Sequence, residues 1–254
     1  MAACKTSSAG NQPIEKKLRK DFAVLQPEAE MISLKDTGNL YFNPGCALQL
    51  YRPASAERIY QYLQRNFPNI RKHTICCRHD PQLPYGSVII NVCAGCDRRF
   101  SSHYEGIFTV SLWEVLCELN NFTFPDYSAM KVSIHDPCPV RNKPAVHRAV
   151  RKLLLRMNVG ITEAEHVGAN SICCGDSLYP DCDMEKIHRA MKKRAESMPC
   201  NHVVVYCISC VKAIYNGGKT PRYLVDLLLE ETTEPQECDI RKWHAVLDAY
   251  IQTH

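Results

Sequence analysis

The chain has 254 residues, 45% of them hydrophobic and 23% charged, an ordinary globular composition that excludes a disordered or low-complexity chain. A net charge of +4 is too mild to point to nucleic acid, no nucleic-acid-binding motif is present, and no apolar run approaches the ~18 residues of a membrane span. The fifteen cysteines are the unusual feature; the N-terminus, Met1-Ala2-Ala3-Cys4-Lys5-Thr6, lacks the apolar core of a secretory leader, so the expectation is a cytosolic protein whose thiols bind metal or do redox work.

Residues 1–38 read as a helical extension. Ile14, Leu18, Phe22 and Leu25 recur at helical spacing between Pro13 and Leu25, and the charged face, Glu15-Lys16-Lys17 with Arg19-Lys20-Asp21, reads as solvated surface rather than a docking helix for a partner. A first module follows over residues 39–125. A strand from Asn39 to Phe42 breaks at Asn43-Pro44-Gly45 and delivers Cys46 on a turn, and a helix after Pro53 turns Ala56, Ile59, Tyr60 and Leu63 inward. Thr74-Ile75 leads to Cys76-Cys77, Pro81, Pro84 and Gly86 enforce a loop, and the strand Ser87 to Val92 runs into Cys93 and Cys96. A helix from Ser111 to Leu119 closes the module.

The second module, residues 126–254, repeats this order. A strand from Val132 to Ile134 leads to Cys138, bracketed by Pro137 and Pro139, and Asn142 is placed to cap a helix through Met157 whose Val146, Ala149, Val150, Leu153, Leu154 and Met157 share one face. Cys173-Cys174-Gly175, a helix from about Cys182 to Ser197, and the strand Val203 to Tyr206 lead to Cys207-Ile208-Ser209-Cys210, and a further helix ends the chain. The run from Tyr223 to Leu228 mirrors the run from Thr109 to Leu116, so the duplication extends beyond the cysteines and implies approximate two-fold symmetry. Between the adjacent pair and the C-x-x-C the second copy has thirty-two residues and the first only fifteen. A crossover between parallel strands needs about a dozen residues or more, so the first module is expected to lack its crossover helix. The fold class expected is α/β, with two pseudo-two-fold-related modules, each a small, mostly parallel sheet with flanking helices.

Ten cysteines therefore form two sets of five, each a single, an adjacent pair and a C-x-x-C. A closed zinc site takes four ligands, commonly from two C-x-x-C knuckles, whereas neighbouring side chains reach different atoms of a cluster more easily than they converge on one ion. Gly45, Gly95 and Gly175, with Pro44, Pro137 and Pro139, suit turns that bring backbone N–H groups to sulfur. Arg78, Arg98, Arg99 and Lys212 are placed to offset thiolate charge, and surface positions explain them equally.

The repeated pattern, with Cys-Cys-Gly in the second copy and His135-Asp136-Pro137-Cys138 ahead of it, resembles the cysteine-rich CCG-domain family typified by the cysteine-rich, cluster-binding component of heterodisulfide reductase, over about Leu40 to Leu229. The resemblance implies that Cys46, Cys76, Cys77, Cys93 and Cys96 bind one non-cubane four-iron four-sulfur cluster and that Cys138, Cys173, Cys174, Cys207 and Cys210 bind another. It also implies that the paired clusters reduce a disulfide or relay electrons to an organic substrate in anaerobic-type chemistry, with a redox protein as donor. Two departures concern the first module: Arg78 stands where the family has Gly, and the module is short, so a cubane or a zinc ion is an alternative there. No ferredoxin-type cysteine run and no G-x-G-x-x-G are present, so electrons must come from a partner.

Cys4, Cys117, Cys182, Cys200 and Cys238 lie outside the pattern; Cys117 reads as a core residue, Cys182 and Cys200 as candidate exposed thiols. His135 and Asp136 are candidates for protons or hydrogen bonds near Cys138, or for anchoring its turn, and His79 and Asp80 read best as a polar loop. The basic stretches Arg141 to Arg156 and Lys186 to Arg194 read as solvated faces that can also attract an acidic donor. The competing function is a non-catalytic module that uses zinc or one cluster to hold the fold or to sense redox state.

Overall fold

The computed structural model describes Leu34 and residues 37–254; the helix expected from Pro13 to Leu25, and Cys4, lie outside the described residues. The fold is α/β, with two four-stranded sheets, each entirely parallel and flanked by helices. The first contains β1 (Leu40–Asn43), β2 (Arg71–Lys72), β3 (Ser87–Asn91) and β4 (Ile107–Ser111), in the order β2-β1-β3-β4. With them come helices α1 (Cys46–Tyr51), α2 (Pro53–Asn66), α3 (Ala94–His103) and α4 (Leu112–Glu118). The second sheet contains β5 (Lys131–His135), β6 (Gly160–Ile161), β7 (His202–Val205) and β8 (Thr220–Tyr223), in the matching order β6-β5-β7-β8. Its helices are α5 (Pro144–Arg156), α6 (Met184–Glu196), α7 (Ile208–Asn216), α8 (Leu224–Leu228) and the C-terminal α9 (Ile240–Thr253).

The correspondence holds in register. Asn91 pairs with Ser111 in one sheet and Val205 with Tyr223 in the other, and Ser111 and Tyr223 are the residues immediately before α4 and α8. Ser111 closes a capping box with Glu114. The expected asymmetry is also present: α6 fills the connection from β6 to β7, whereas residues 78–86 reach β3 without a helix.

Two details differ from the sequence expectation. Asn142 caps nothing, because α5 starts after Lys143 with Pro144 in its first turn, where the missing N–H costs no hydrogen bond. The helices α3 and α7, which start directly after Cys93 and Cys207, and the strands β4 and β8 that follow them, are short elements whose apolar pattern is too brief to read.

The central strands are apolar without alternation because both faces are covered: Ile89, Ile90, Val203, Val204 and Val205 are fully buried. Each such side chain contributes about 1.5–3 kcal/mol of burial. On α5 the face from Val146 to Met157 is buried as its spacing predicts, and it packs on α4, where the Cys117 thiol donates to Ala149 O at 3.2 Å. One continuous apolar core draws on both sheets, and a smaller cluster of Tyr41, Ile89, Phe100 and Ile107 lies under α3. Among the described residues no helix is long and apolar enough to cross a membrane.

Candidate metal centre

All ten cysteines of the repeated pattern follow the carboxyl ends of strands, the edge at which parallel α/β sheets collect ligands. The two turns that carry the single cysteines are built differently. After β1, the Gly45 N–H donates to Asn43 Oδ1 at 3.1 Å and Asn43 Nδ2 donates to Asn91 Oδ1 at 2.7 Å. Gly45 has φ +78°, and a Cβ there would stand 2.9 Å from Cys93 Cβ and 3.4 Å from Cys96 Sγ, so only glycine fits this cradle. After β5 the equivalent position is Pro137, at φ −71°, and the turn is held by the preceding Asp136. Arg151 Nη1 and Nη2 donate to the two Asp136 carboxylate oxygens at 3.1 and 3.0 Å, Tyr206 Oη donates at 2.7 Å, and the Gly168 N–H at 2.7 Å. Burial pushes the Asp136 carboxyl up, but these donors outweigh it and hold it at about 2. Asp136 thus anchors the turn.

The thiols of each set touch in a fixed sequence. In the first the order is Cys46, Cys76, Cys77, Cys96, Cys93; in the second it is Cys138, Cys173, Cys174, Cys210, Cys207. Cys138 and Cys173 Sγ are 4.0 Å apart, and Cys210 and Cys174 Sγ 3.5 Å. The electrostatics match as well. The thiols of Cys46 and then Cys77 donate to Cys76 and pull it down to about 2, while Cys138 and then Cys174 pull Cys173 down. Cys46 and Cys138 are pushed up in turn by the hydrogen bonds they give and then by burial. The thiol neighbour Cys96 holds Cys93 at about 7, helped by the N–H groups that open α3.

Five crowded thiols cannot all ionise unless a cation draws them together, so the donor set suits a thiolate-bound metal group whose loading expels protons. Backbone and hydroxyl donors already face the sulfur: the Gly175 N–H lies 3.3 Å from Cys173 Sγ and Ser177 Oγ 2.9 Å from it. A ring nitrogen of His135 and the sulfurs of Cys174 and Cys210, all buried, lie within 4.8 Å of one another, a span compatible with metal.

The two sets face one cavity of about 530 Å³. Nine of the ten cysteines line it; the tenth, Cys173, is held 4.0 Å from Cys138 Sγ and does not. Pro44, Leu48, Pro137, Ile208 and Tyr223 provide much of its apolar wall, while Arg78, Arg98, Arg99 and His103 gather on the first-module side. The remaining wall is α9, which contributes His244, Leu247 and Ile251. His244 Nε2 meets Asp176 Oδ1 at 3.2 Å and its ring stacks on Tyr179, while at the other end of the helix Cys76 N–H donates to His254 O at 2.8 Å. Nothing in the chain's residue pattern signals that this helix reaches both sets; the i, i+4, i+7 positions 244, 248 and 251 share a face, but partners about 170 positions away are invisible to periodicity. A separate cleft of about 560 Å³ beside α2 holds no thiol, and its Tyr62, Asn121 and Asn66 side chains bond one another.

Other residues depart from the sequence reading. Lys212 lies away from the cavity: fully buried, it donates to Pro235 O and Glu237 O and sits 4.3 Å from the Trp243 ring centroid, tying α7 to α9. Arg151 and Arg194, read as parts of solvated basic faces, are both buried. Cys200 is buried rather than exposed, Cys182 and Cys238 are half-buried, and Cys117 is a core thiol that burial pushes up to about 12. Arg99 donates to Cys77 O at 2.9 Å and His79 Nε2 meets Ile251 O at 2.7 Å, so that loop is pinned under α9. Asp80 closes a local turn through Gln82 N–H. Compared with known proteins, the chain matches no family model, and no curated protein sequence matches it.

Proposed function

We propose that the chain is an iron–sulfur redox component resembling the CCG-domain proteins. In this reading Cys46, Cys76, Cys77, Cys93 and Cys96 hold one non-cubane four-iron four-sulfur cluster, and Cys138, Cys173, Cys174, Cys207 and Cys210 hold a second. The observation that carries it is the cavity lined by thiols of both modules. A structural metal site requires neither two five-thiol sets nor a common space between them.

The reaction class that suits this arrangement is cleavage of a disulfide, R–S–S–R′, to two thiols, which consumes two electrons and two protons. When bound, the clusters supply the electrons, received from a donor redox protein. The chain's own residues bind and protonate. Arg78, Arg98 and Arg99 draw an anionic group to the first-module wall, the apolar wall excludes water, and the imidazoles of His103 and His244 line the space, the latter oriented by Asp176. A second reading, a single zinc ion that holds the fold, draws support from the compact trio His135, Cys174 and Cys210.

The test is iron, acid-labile sulfide and zinc per chain on anaerobically purified protein, followed by turnover of a small organic disulfide with a chemical reductant. About eight iron and eight sulfide with disulfide cleavage is the expected result. Zinc without sulfide would sink the proposal.

A further inference from the structure

His135 is wholly buried at the end of β5, and its surroundings fix which of its nitrogens carries hydrogen. Arg194 Nε donates to His135 Nδ1 at 3.0 Å. A guanidinium has no acceptor and keeps its protons, so Nδ1 must present its lone pair, and a neutral imidazole then carries its hydrogen on Nε2. Arg194 cannot turn away to release the ring, because its other nitrogens donate to His166 O at 3.0 Å, Ser171 Oγ at 3.2 Å and Ser197 Oγ at 3.3 Å. Nε2 has no hydrogen-bond partner among the described residues; a ring nitrogen of His135 lies within 4.8 Å of the Cys174 and Cys210 sulfurs, and Nδ1 is already taken by Arg194. A ligating histidine is arranged the other way round, with its far N–H given to a carboxylate or carbonyl.

We propose that in the loaded protein His135 gives its Nε2 hydrogen to sulfur at the Cys174–Cys210 side of the second set rather than acting as a ligand, held in that tautomer by Arg194, and that it makes the second cysteine set the more readily reduced of the two. The potential claim rests on the cluster reading above. A hydrogen bond to cluster sulfur stabilises the more negative, reduced state and raises the potential. The first set is built differently: at the position of His135 stands Asn43, whose amide donates to Asn91, and the helix that carries Arg194 is the crossover element the first module lacks. Its own buried histidine, His73, gives the Nε2 hydrogen to Pro81 O at 3.1 Å, which leaves the neutral ring with a lone pair on Nδ1 and no N–H to offer sulfur. His135 is thus a positioning and tuning residue, with electrons expected to rest preferentially on the second set.

The experiment is an anaerobic redox titration of the full chain, followed spectroscopically, with iron and sulfide counted in the same samples. Wild type is compared with His135→Leu, His135→Gln and Arg194→Met, with Cys174→Ser as the control for a lost ligand. Iron and sulfide should be retained in all three donor variants. One of two couples should move to lower potential in His135→Leu by about tenfold in the reduced-to-oxidised ratio, the scale of a hydrogen bond to a charged group, or about 59 mV for one electron. His135→Gln, which keeps an N–H, should recover part of the shift; Arg194→Met, which leaves the imidazole in place, should show a smaller shift of the same sign. Iron loss in His135→Leu matching that of Cys174→Ser would overturn the donor assignment in favour of ligation. Unchanged potentials in folded His135→Leu and Arg194→Met would overturn the tuning. A wild-type chain with zinc and no sulfide would overturn the cluster reading and the potential claim with it, and the donor assignment would then be decided by whether His135→Leu keeps the zinc that Cys174→Ser loses.

Discussion

The strand that delivers Cys138 ends in a buried charge network, whereas the strand that delivers Cys46 ends in an asparagine, Asn43, bonded to the asparagine that ends the neighbouring β3, Asn91. Asp136 holds five side-chain and backbone donors together, among them Arg151 from α5 and Tyr206 from the end of β7. Asn43 and Asn91 bond each other and one glycine N–H. Both turns bring a cysteine to the same place in the same chain of thiol contacts. Thiol geometry therefore needs only a parallel sheet and a tight turn, while the surroundings of the sulfur are free to diverge.

Removing the two anchors in parallel gives the largest expected effect. Asp136→Ala strands the buried Arg151 beside Glu163 alone and is expected to cost about 3–5 kcal/mol in denaturant unfolding. Asn43→Ala removes neutral hydrogen bonds and is expected to cost about 1–2 kcal/mol. Equal losses would contradict the claim that the second turn is charge-anchored.

The next effect is a pH dependence at the junction between modules. Asp226 of α8 accepts from Tyr51 Oη at 2.7 Å and Arg52 Nη1 at 3.2 Å, both from the first module. Burial pushes its carboxyl up to about 6 against these donors. A raised carboxylate binds its proton more tightly folded than unfolded, so its contribution is complete below about 4 and is lost as pH rises through about 6. The rise from the ordinary carboxyl value corresponds to roughly 3 kcal/mol. Asp136, held low, behaves oppositely: its contribution is present above about 4 and is lost as pH falls towards 2. Stability measured from pH 3 to 7 should flatten in its upper part in Asp226→Asn, and an unchanged slope there would show that Asp226 does not set it.

Gly45→Ala comes third. The positive φ and the contact with Cys93 Cβ predict a loss of about 1–3 kcal/mol and weaker metal retention by the first set alone; equal metal loss from both sets would show that the cradle is not local. The smallest effect belongs to Arg78→Ala, whose ion pair with Asp248 is exposed on both sides and is worth less than about 1 kcal/mol. A thermal shift beyond a few degrees would assign Arg78 a role in holding α9 that the geometry does not require.

Much of this was legible in the cysteines themselves. Their spacing carries the duplicated order, the missing crossover helix and the strand ends on which the thiols stand, because register and loop length are local properties. The buried face of α5 followed from its 3, 4 and 7 spacing. Burial of individual charges was not legible: Arg194 sits in a stretch that reads as basic surface and Lys212 at a position that reads as a counter-charge to thiolate, and partners 59 positions away in one case, and 23 and 25 in the other, explain why they are inside. The same limit hid His244 and Ile251, which join the cavity wall from a helix outside the repeat.

Whether each five-thiol set holds an iron–sulfur cluster of its own, as proposed, is decided by counting iron and acid-labile sulfide in parallel on wild type, Cys93→Ser and Cys207→Ser, purified without oxygen. Each variant is expected to lose about half of the wild-type iron and sulfide, since each substitution removes a ligand from one set only. Iron lost only with Cys207→Ser would leave one metal centre and contradict the paired arrangement.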